Sequence, residues 1–199
     1  MNNSLKSIVF LFFISISSIN ANGQVFKHGV GAQLDIFSFK ESYTDVTGLN
    51  HPVSVSAIPG LVYKASLSLY ASKTRHSHIS IASYPFIGYY ANSIDASKLA
   101  FEVPLLVEFF YGDIDYFGGF FGVGASYAQS AIPNFGDGTV FGPQIEGGLQ
   151  FPIDGKVIAA KLAYTYGLND PSESLFPERT YTKSDRGIFS IGLIYVFGY

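Results

Sequence analysis

The residues of this chain that could do chemistry are few. Asp35, Lys64, Glu102, Glu108, Gln144, Glu146 and Lys161 each sit within a long apolar stretch and alternate with large aliphatic or aromatic neighbours. Carboxylates on one strand face, such as Glu102 and Glu108, could do acid–base work. In a narrow interior such groups more commonly form a structural hydrogen-bond network. The set holds four acids and two bases, so two acids lack a strand-borne partner. These must be hydrated, protonated, or reached by a loop cation such as Arg179 or Arg186.

Histidine offers little more. His76-Ser77-His78, beside Lys73 and Arg75, could bind a metal or a lipid phosphate. Two histidines at i and i+2 without a nearby carboxylate make a poor metal pattern. A solvated basic turn is the simpler reading, and its charge would favour lipid headgroups. A lipid hydrolase needs a nucleophile and a base within hydrogen-bond reach. The four histidines are His28, His51, His76 and His78, and none falls mid-strand on an apolar face. The expectation is therefore no enzymatic activity, no metal and no cofactor. Absence of cysteine removes disulfide and thiol chemistry.

What could hold these polar residues together is strand alternation. From Gly187 onward the odd positions Phe189, Ile191, Leu193, Tyr195, Phe197 and Tyr199 are large and apolar, while Ser190, Gly192 and Gly198 are even. Successive strand residues point to opposite faces, so this is a strand with one greasy face. Such a strand at a chain end leaves an aggregation-prone edge unless it pairs with the first strand of a closed barrel. The spacing of Ser190, Gly192, Tyr195, Phe197 and Tyr199 resembles the C-terminal signal read by the barrel-assembly machinery of outer membranes.

Seven further segments alternate in the same way: about 27–39, 58–70, 78–90, 99–112, 116–129, 139–151 and 156–167. Pro85, in the third of these, can mark a bulge that shifts the phase after it. Connections alternate long and short: 40–57, 91–98, 130–138 and 168–186 are long, whereas 71–77, 113–115 and 152–155 are short. Long outer loops and short periplasmic turns are the outer-membrane pattern, and each segment exceeds the roughly 9–11 residues needed to cross a membrane. The six mid-strand charges Asp35, Lys64, Glu102, Glu108, Glu146 and Lys161 all lie opposite the large apolar residues. The apolar face must then look at lipid and the charged face into the lumen, since a soluble barrel would invert this.

Composition agrees. Charged residues are 14% of the 199, below the roughly 25% of soluble domains, while aromatics reach 17% and glycine numbers 21. Residues 1–23 read as a secretory signal: Lys6, an apolar run from Ile8 to Ile19, then Ala21 and Gly23 before Gln24. That leaves 199 − 23 = 176 residues (24–199) for the barrel domain, with 11 basic against 15 acidic residues, a balance that implies no nucleic-acid partner.

The expected fold is all-β: an eight-stranded antiparallel transmembrane β-barrel, an up-and-down meander in the outer membrane, monomeric. If Phe151 faces Lys156 across the turn at 152–155, Glu146 faces Lys161 directly, within about 4 Å. That pair, with Gln144, Lys64 and the other carboxylates, would plug the lumen.

Phe101-Glu102-Val103-Pro104-Leu105-Leu106-Val107-Glu108 and its following aromatic pair resemble the outer-membrane β-barrel-domain family that includes PorT-like proteins. Gly122-Val123-Gly124-Ala125-Ser126-Tyr127 and Gly192-Leu193-Ile194-Tyr195-Val196-Phe197 are similar to the same family. The resemblance implies barrel topology and, for some members, a part in protein secretion across the outer membrane. It supplies no catalytic motif. Expected partners are outer-membrane lipid, the assembly machinery during biogenesis, and a protein met through the outer loops. The alternative is a transporter or narrow channel for small or apolar molecules.

Overall fold

The computed structural model describes residues 26–44, 54–71, 77–90, 98–112, 117–130, 139–154, 156–168 and 180–197. The signal segment, His51, His76, Arg179 and Tyr199 lie outside them. The strands are β1 (Phe26–Thr44), β2 (Ser54–Ala71), β3 (Ser77–Ser83), β4 (Phe86–Tyr90), β5 (Lys98–Gly112), β6 (Gly118–Ser130), β7 (Thr139–Ile153), β8 (Lys156–Gly167) and β9 (Thr180–Phe197). Each pairs antiparallel with its neighbours, and β1 pairs with both β2 and β9, so the sheet closes. Closure leaves no unpaired edge strand, which a sheet in lipid requires.

Nine strands make eight staves, because β3 and β4 are one stave. Moving from Ile81 to Ile87 moves the β5 partner equally, from Val107 to Phe101, and the β2 partner equally, from Leu67 to Leu61. Pro85 therefore shifts no phase. The stave is interrupted because Pro85 has no N–H and the constant register sets Tyr84 opposite Pro104, which has none either. Substitute bonds hold the gap: Tyr63 N donates to the Pro85 carbonyl at 2.9 Å, and Ser83 Oγ to the Pro104 carbonyl at 2.5 Å. The irregularity in this region lies in β2, between Ser68 and Tyr70.

The stagger of the barrel follows from the partner lists. Starting at Phe37 and stepping through Ile188, Thr165, Gln144, Gly124, Leu106, Ala82 and Ser66, the ring returns to β1 at Lys27, a displacement of 37 − 27 = 10 residues. Eight staves with that shear enclose a bore about as wide as packed side chains can fill.

Parity decides what each face meets. Leu61, Leu105, Ile145, Leu162 and Leu193 are among a dense outward set of exposed apolar side chains. Among the described side chains, outward-facing Asp, Glu, Lys or Arg occur only at the Asp154–Lys156 turn and its edge, where Lys156 Nζ lies 5.9 Å from the Tyr195 ring centroid. Inward residues pack as two apolar clusters. One, with Val62, Tyr84, Leu106, Phe110, Phe120 and Ile194, fills the short-turn half. The other, with Phe37, Ile58, Phe86, Val140 and Ile188, fills the half towards the long connections.

Strands β1 and β9 run further than alternation foretells. Their pairing continues to Thr44↔Thr180, past a register shift between Ser42 and Tyr43. Here the backbone ladder persists where the sequence no longer alternates, since ladder bonds need no apolar face.

Candidate functional site in the barrel lumen

The structure places Asp35, Lys64, Glu102, Glu108, Gln144, Glu146 and Lys161 inside the barrel, all buried. They fall into two tiers. The lower tier, towards the short turns, is built on β2, the Tyr84 position between β3 and β4, β5, β7 and β8. Lys64 Nζ reaches both Glu108 carboxylate oxygens at 3.2 Å and donates to the Tyr84 hydroxyl at 2.8 Å. That hydroxyl donates in turn to Glu108 Oε2. The Tyr84 ring also carries cations: Lys161 Nζ sits 4.3 Å and Lys64 Nζ 5.0 Å from its centroid. Ammonium groups over an aromatic face gain from its quadrupole, more so when desolvated. Lys161 meets Glu146 Oε2 at 3.9 Å, an ion-pair contact without a hydrogen bond.

The Glu146–Lys161 contact arises differently from the expectation. In the β7–β8 register Glu146 faces Ala163 and Lys161 faces Gly148. Ile153 is paired to Lys156 and Asp154 stands at φ 51°, so two residues separate the last pair of the hairpin. Asp-Gly suits that left-handed geometry, which sets the partners two positions away from a four-residue turn. Long side chains reach the diagonal neighbour on the same face, so the two charges still meet.

The upper tier uses β1 and β5–β9. Gln33 Nε2 donates to Asp35 Oδ1 at 2.7 Å, and Asp35 is the Cα partner of Ser190, whose side chain bonds to it. Glu102 Oε1 accepts from Ser126 Oγ at 2.7 Å and from Thr165 Oγ1 at 3.1 Å. Gln144 is the Cα partner of Thr165, and neither its Oε1 nor its Nε2 has a hydrogen-bond partner. Arg186 enters the barrel above this tier and donates from Nη1 to the Thr139 carbonyl at 2.8 Å.

Tyr84 is the member that sequence reasoning missed. Its lumen parity, shared with Ser80, Ala82 and Phe86, was the available signal; the phase doubt at Pro85 hid it. Ser190 and Gly192 point inward, while Tyr195 and Phe197 lie on the outward parity of β9. Phe197 packs edge-on to His28 of β1 with centroids 4.1 Å apart, so an aromatic contact bridges the closing seam. His28 Nδ1 is 3.4 Å from the Tyr63 hydroxyl, and His78 stacks on Phe110 at 4.6 Å. No group of three or more His, Cys, Asp or Glu able to hold a metal occurs among the described residues.

No family model matches the sequence, and no curated protein matches it. Solved structures do. The outer-membrane protein OprG from Pseudomonas aeruginosa matches with TM-score 0.51 and 13% identity, over 88% of this chain and 98% of that one. Ail, the attachment invasion locus protein of Yersinia pestis, matches at TM-score 0.48 and 12% identity, over 86% and 98%. Neisserial surface protein A matches at 0.41 and 13%, over 88% and 100%. The likeness to OprG is one of fold, a closed eight-stave antiparallel barrel. The narrower PorT-like resemblance rests on sequence motifs alone.

Proposed function

We propose that this chain is an integral outer-membrane protein, exported through a cleaved segment at residues 1–23, that acts as a non-enzymatic structural or interaction barrel. Its lumen is plugged and its long connections meet a protein partner, in line with the secretion role that the PorT-like resemblance implies. One observation carries the reading. Both apolar clusters and the polar belt between them are buried, so side chains rather than an aqueous path fill the bore. An apolar exterior over charged, paired interior residues supports placement in lipid.

Planar-bilayer recording tests the plug. The wild-type barrel should give no stepwise conductance, and Glu146→Ala should raise the ion leak by freeing Lys161 from its partner. Steady unitary conductance in wild type would instead favour a channel for small solutes. A pull-down from outer membranes with a tag in residues 168–179 tests the partner. Recovery of lipid alone would remove the interaction role.

A further inference from the structure

Two glycines stand on the lipid face of the barrel where the chain's own packing does not ask for them. Gly119 of β6 is the partner of Tyr111 and Leu149, and Gly147 of β7 is the partner of Phe121 and Leu162, so both share the parity of large outward side chains. Glycine inside a strand weakens it, and its usual reasons are a bulge, a bend or the close approach of another body. Close approach within the wall explains several inward glycines. A Cβ at Gly124, Gly142 or Gly148 would run into the backbone oxygen of Leu105, Tyr166 or Ala160. A Cβ at Gly119 would meet nothing nearer than 3.8 Å, and one at Gly147 nothing nearer than 3.6 Å. Neither glycine has a positive φ, and the ladders on both sides run without a register shift.

Both glycines open into depressions on that face. Ser77, Phe109, Tyr111 and Gly119 line one of about 580 Å³, at the end of the barrel near the short turns. Ile145, Gly147, Leu162, Tyr164 and Phe189 line another of about 290 Å³, nearer mid-height. Phe121 lines both, so the two join in one oblique groove. The row between its first walls, His78, Phe110 and Phe120, is buried with lumen parity. The floor is therefore backbone and the walls are outward side chains.

We propose that this groove seats one acyl chain of a glycerophospholipid from the leaflet on the short-turn side. The inference rests on the outer-membrane reading above and names one lipid position within it. The groove is continuous with the apolar face that the barrel turns to lipid, where water does not compete for it. Its lower end is Ser77, which begins β3, and Tyr111, the last residue but one of β5. Tyr111 is 78% exposed, at a level where tyrosines meet headgroups. A polymethylene chain is about one side chain wide and bends freely, so it can follow the oblique path past Phe121. A second copy of the barrel is convex. Two convex walls touch along a narrow line, short of the roughly 1,600 Å² of a stable interface, and leave the glycine floors unfilled. Within lipid, close packing rather than removal from water holds such a chain, which is what a glycine floor improves.

The test refolds the full mature chain into vesicles of phosphatidylethanolamine and phosphatidylglycerol, transfers it to mild detergent, and weighs the intact barrel by native mass spectrometry. About one retained phospholipid per folded barrel is expected, the stoichiometry of one groove. Gly119→Leu/Gly147→Leu fills the floor and should lower the retained fraction at least about fivefold. Ala125→Leu, on the lipid face of β6 but away from the groove, should leave retention unchanged. Should the leucines prevent folding, Gly119→Ala/Gly147→Ala, whose Cβ atoms have room, should still lower retention about twofold. No phospholipid on folded wild type, equal retention in the glycine variants, or an equal loss in Ala125→Leu would overturn the site. So would barrel dimers that the glycine substitutions dissolve, which would give the groove to a second copy. Preferential retention of lipid A from mixed vesicles would overturn the choice of leaflet. Heat-modifiable migration reports the barrel separately: normal migration without retained lipid counts against the groove alone, whereas its absence in wild type counts against the outer-membrane reading.

Discussion

In the lower tier of the lumen every carboxylate has its lysine. Glu108 meets Lys64 at 3.2 Å with a shared tyrosine hydroxyl, and Glu146 meets Lys161 at 3.9 Å. In the upper tier, only a few residues further along the same staves, Asp35 and Glu102 are held by an amide and hydroxyls. The two tiers share walls, burial and residue types, yet in one the described bonds run between opposite charges and in the other they run to neutral groups. The difference teaches that burial in a barrel does not by itself fix how a charge is satisfied. Which stave carries the cation, and at what level, does.

The comparison can be broken outright or sharpened by degrees. Removing Tyr195–Tyr199 should abolish both tiers together. β9 supplies Ser190 to the upper tier and pairs with β1 and β8, so its loss exposes ladder groups to lipid at several kcal/mol each. The truncated chain should accumulate unassembled in the periplasm, without heat-modifiable gel migration.

Next in size is Lys64→Met. It leaves Glu108 buried beside a tyrosine hydroxyl without its cation, which should cost about 3–5 kcal/mol. Urea titration in lipid vesicles, followed by heat-modifiable migration, reads the loss. Lys161→Met should cost less, about 2 kcal/mol, because its 3.9 Å contact with Glu146 is longer than the 3.2 Å contact of Lys64 with Glu108 and lacks a hydrogen bond. Equal costs for the two lysines would mean that the lower tier responds as one network rather than as two pairs.

A smaller change probes the wall. A Cβ at Gly122 would come within 2.8 Å of Glu146 Cγ, the flexible part of a side chain. Gly122→Ala should therefore displace Glu146 from Lys161 for about 1 kcal/mol in the same titration. Smallest is Asp35→Asn. It removes a buried charge whose described hydrogen bonds come from Gln33 and Ser190, so stability should change by less than about 1 kcal/mol, towards stabilisation. A destabilisation as large as that of Lys64→Met would erase the contrast between the tiers.

Much of this was legible along the chain because the strand period is local. Val103, Leu105, Val107 and Phe109 against Glu102 and Glu108 assign their faces without reference to any neighbour. Turn residues and the C-terminal pattern likewise mark stave ends one at a time. Other features belong to pairs of staves or to the closed ring, and no single stretch encodes them. Pairing of Ile153 with Lys156 moved the β7–β8 partners by two positions, so Glu146 and Lys161 meet on a diagonal. Pro85 and Pro104 interrupt a ladder without moving its phase, because the β2 and β5 registers on either side agree. The shear of the ring then sets the heights of side chains from different staves, placing Tyr84 between two lysines. Alternation gave each residue its face; closure gave it its neighbours, since height in a barrel is a sum of registers around the whole ring.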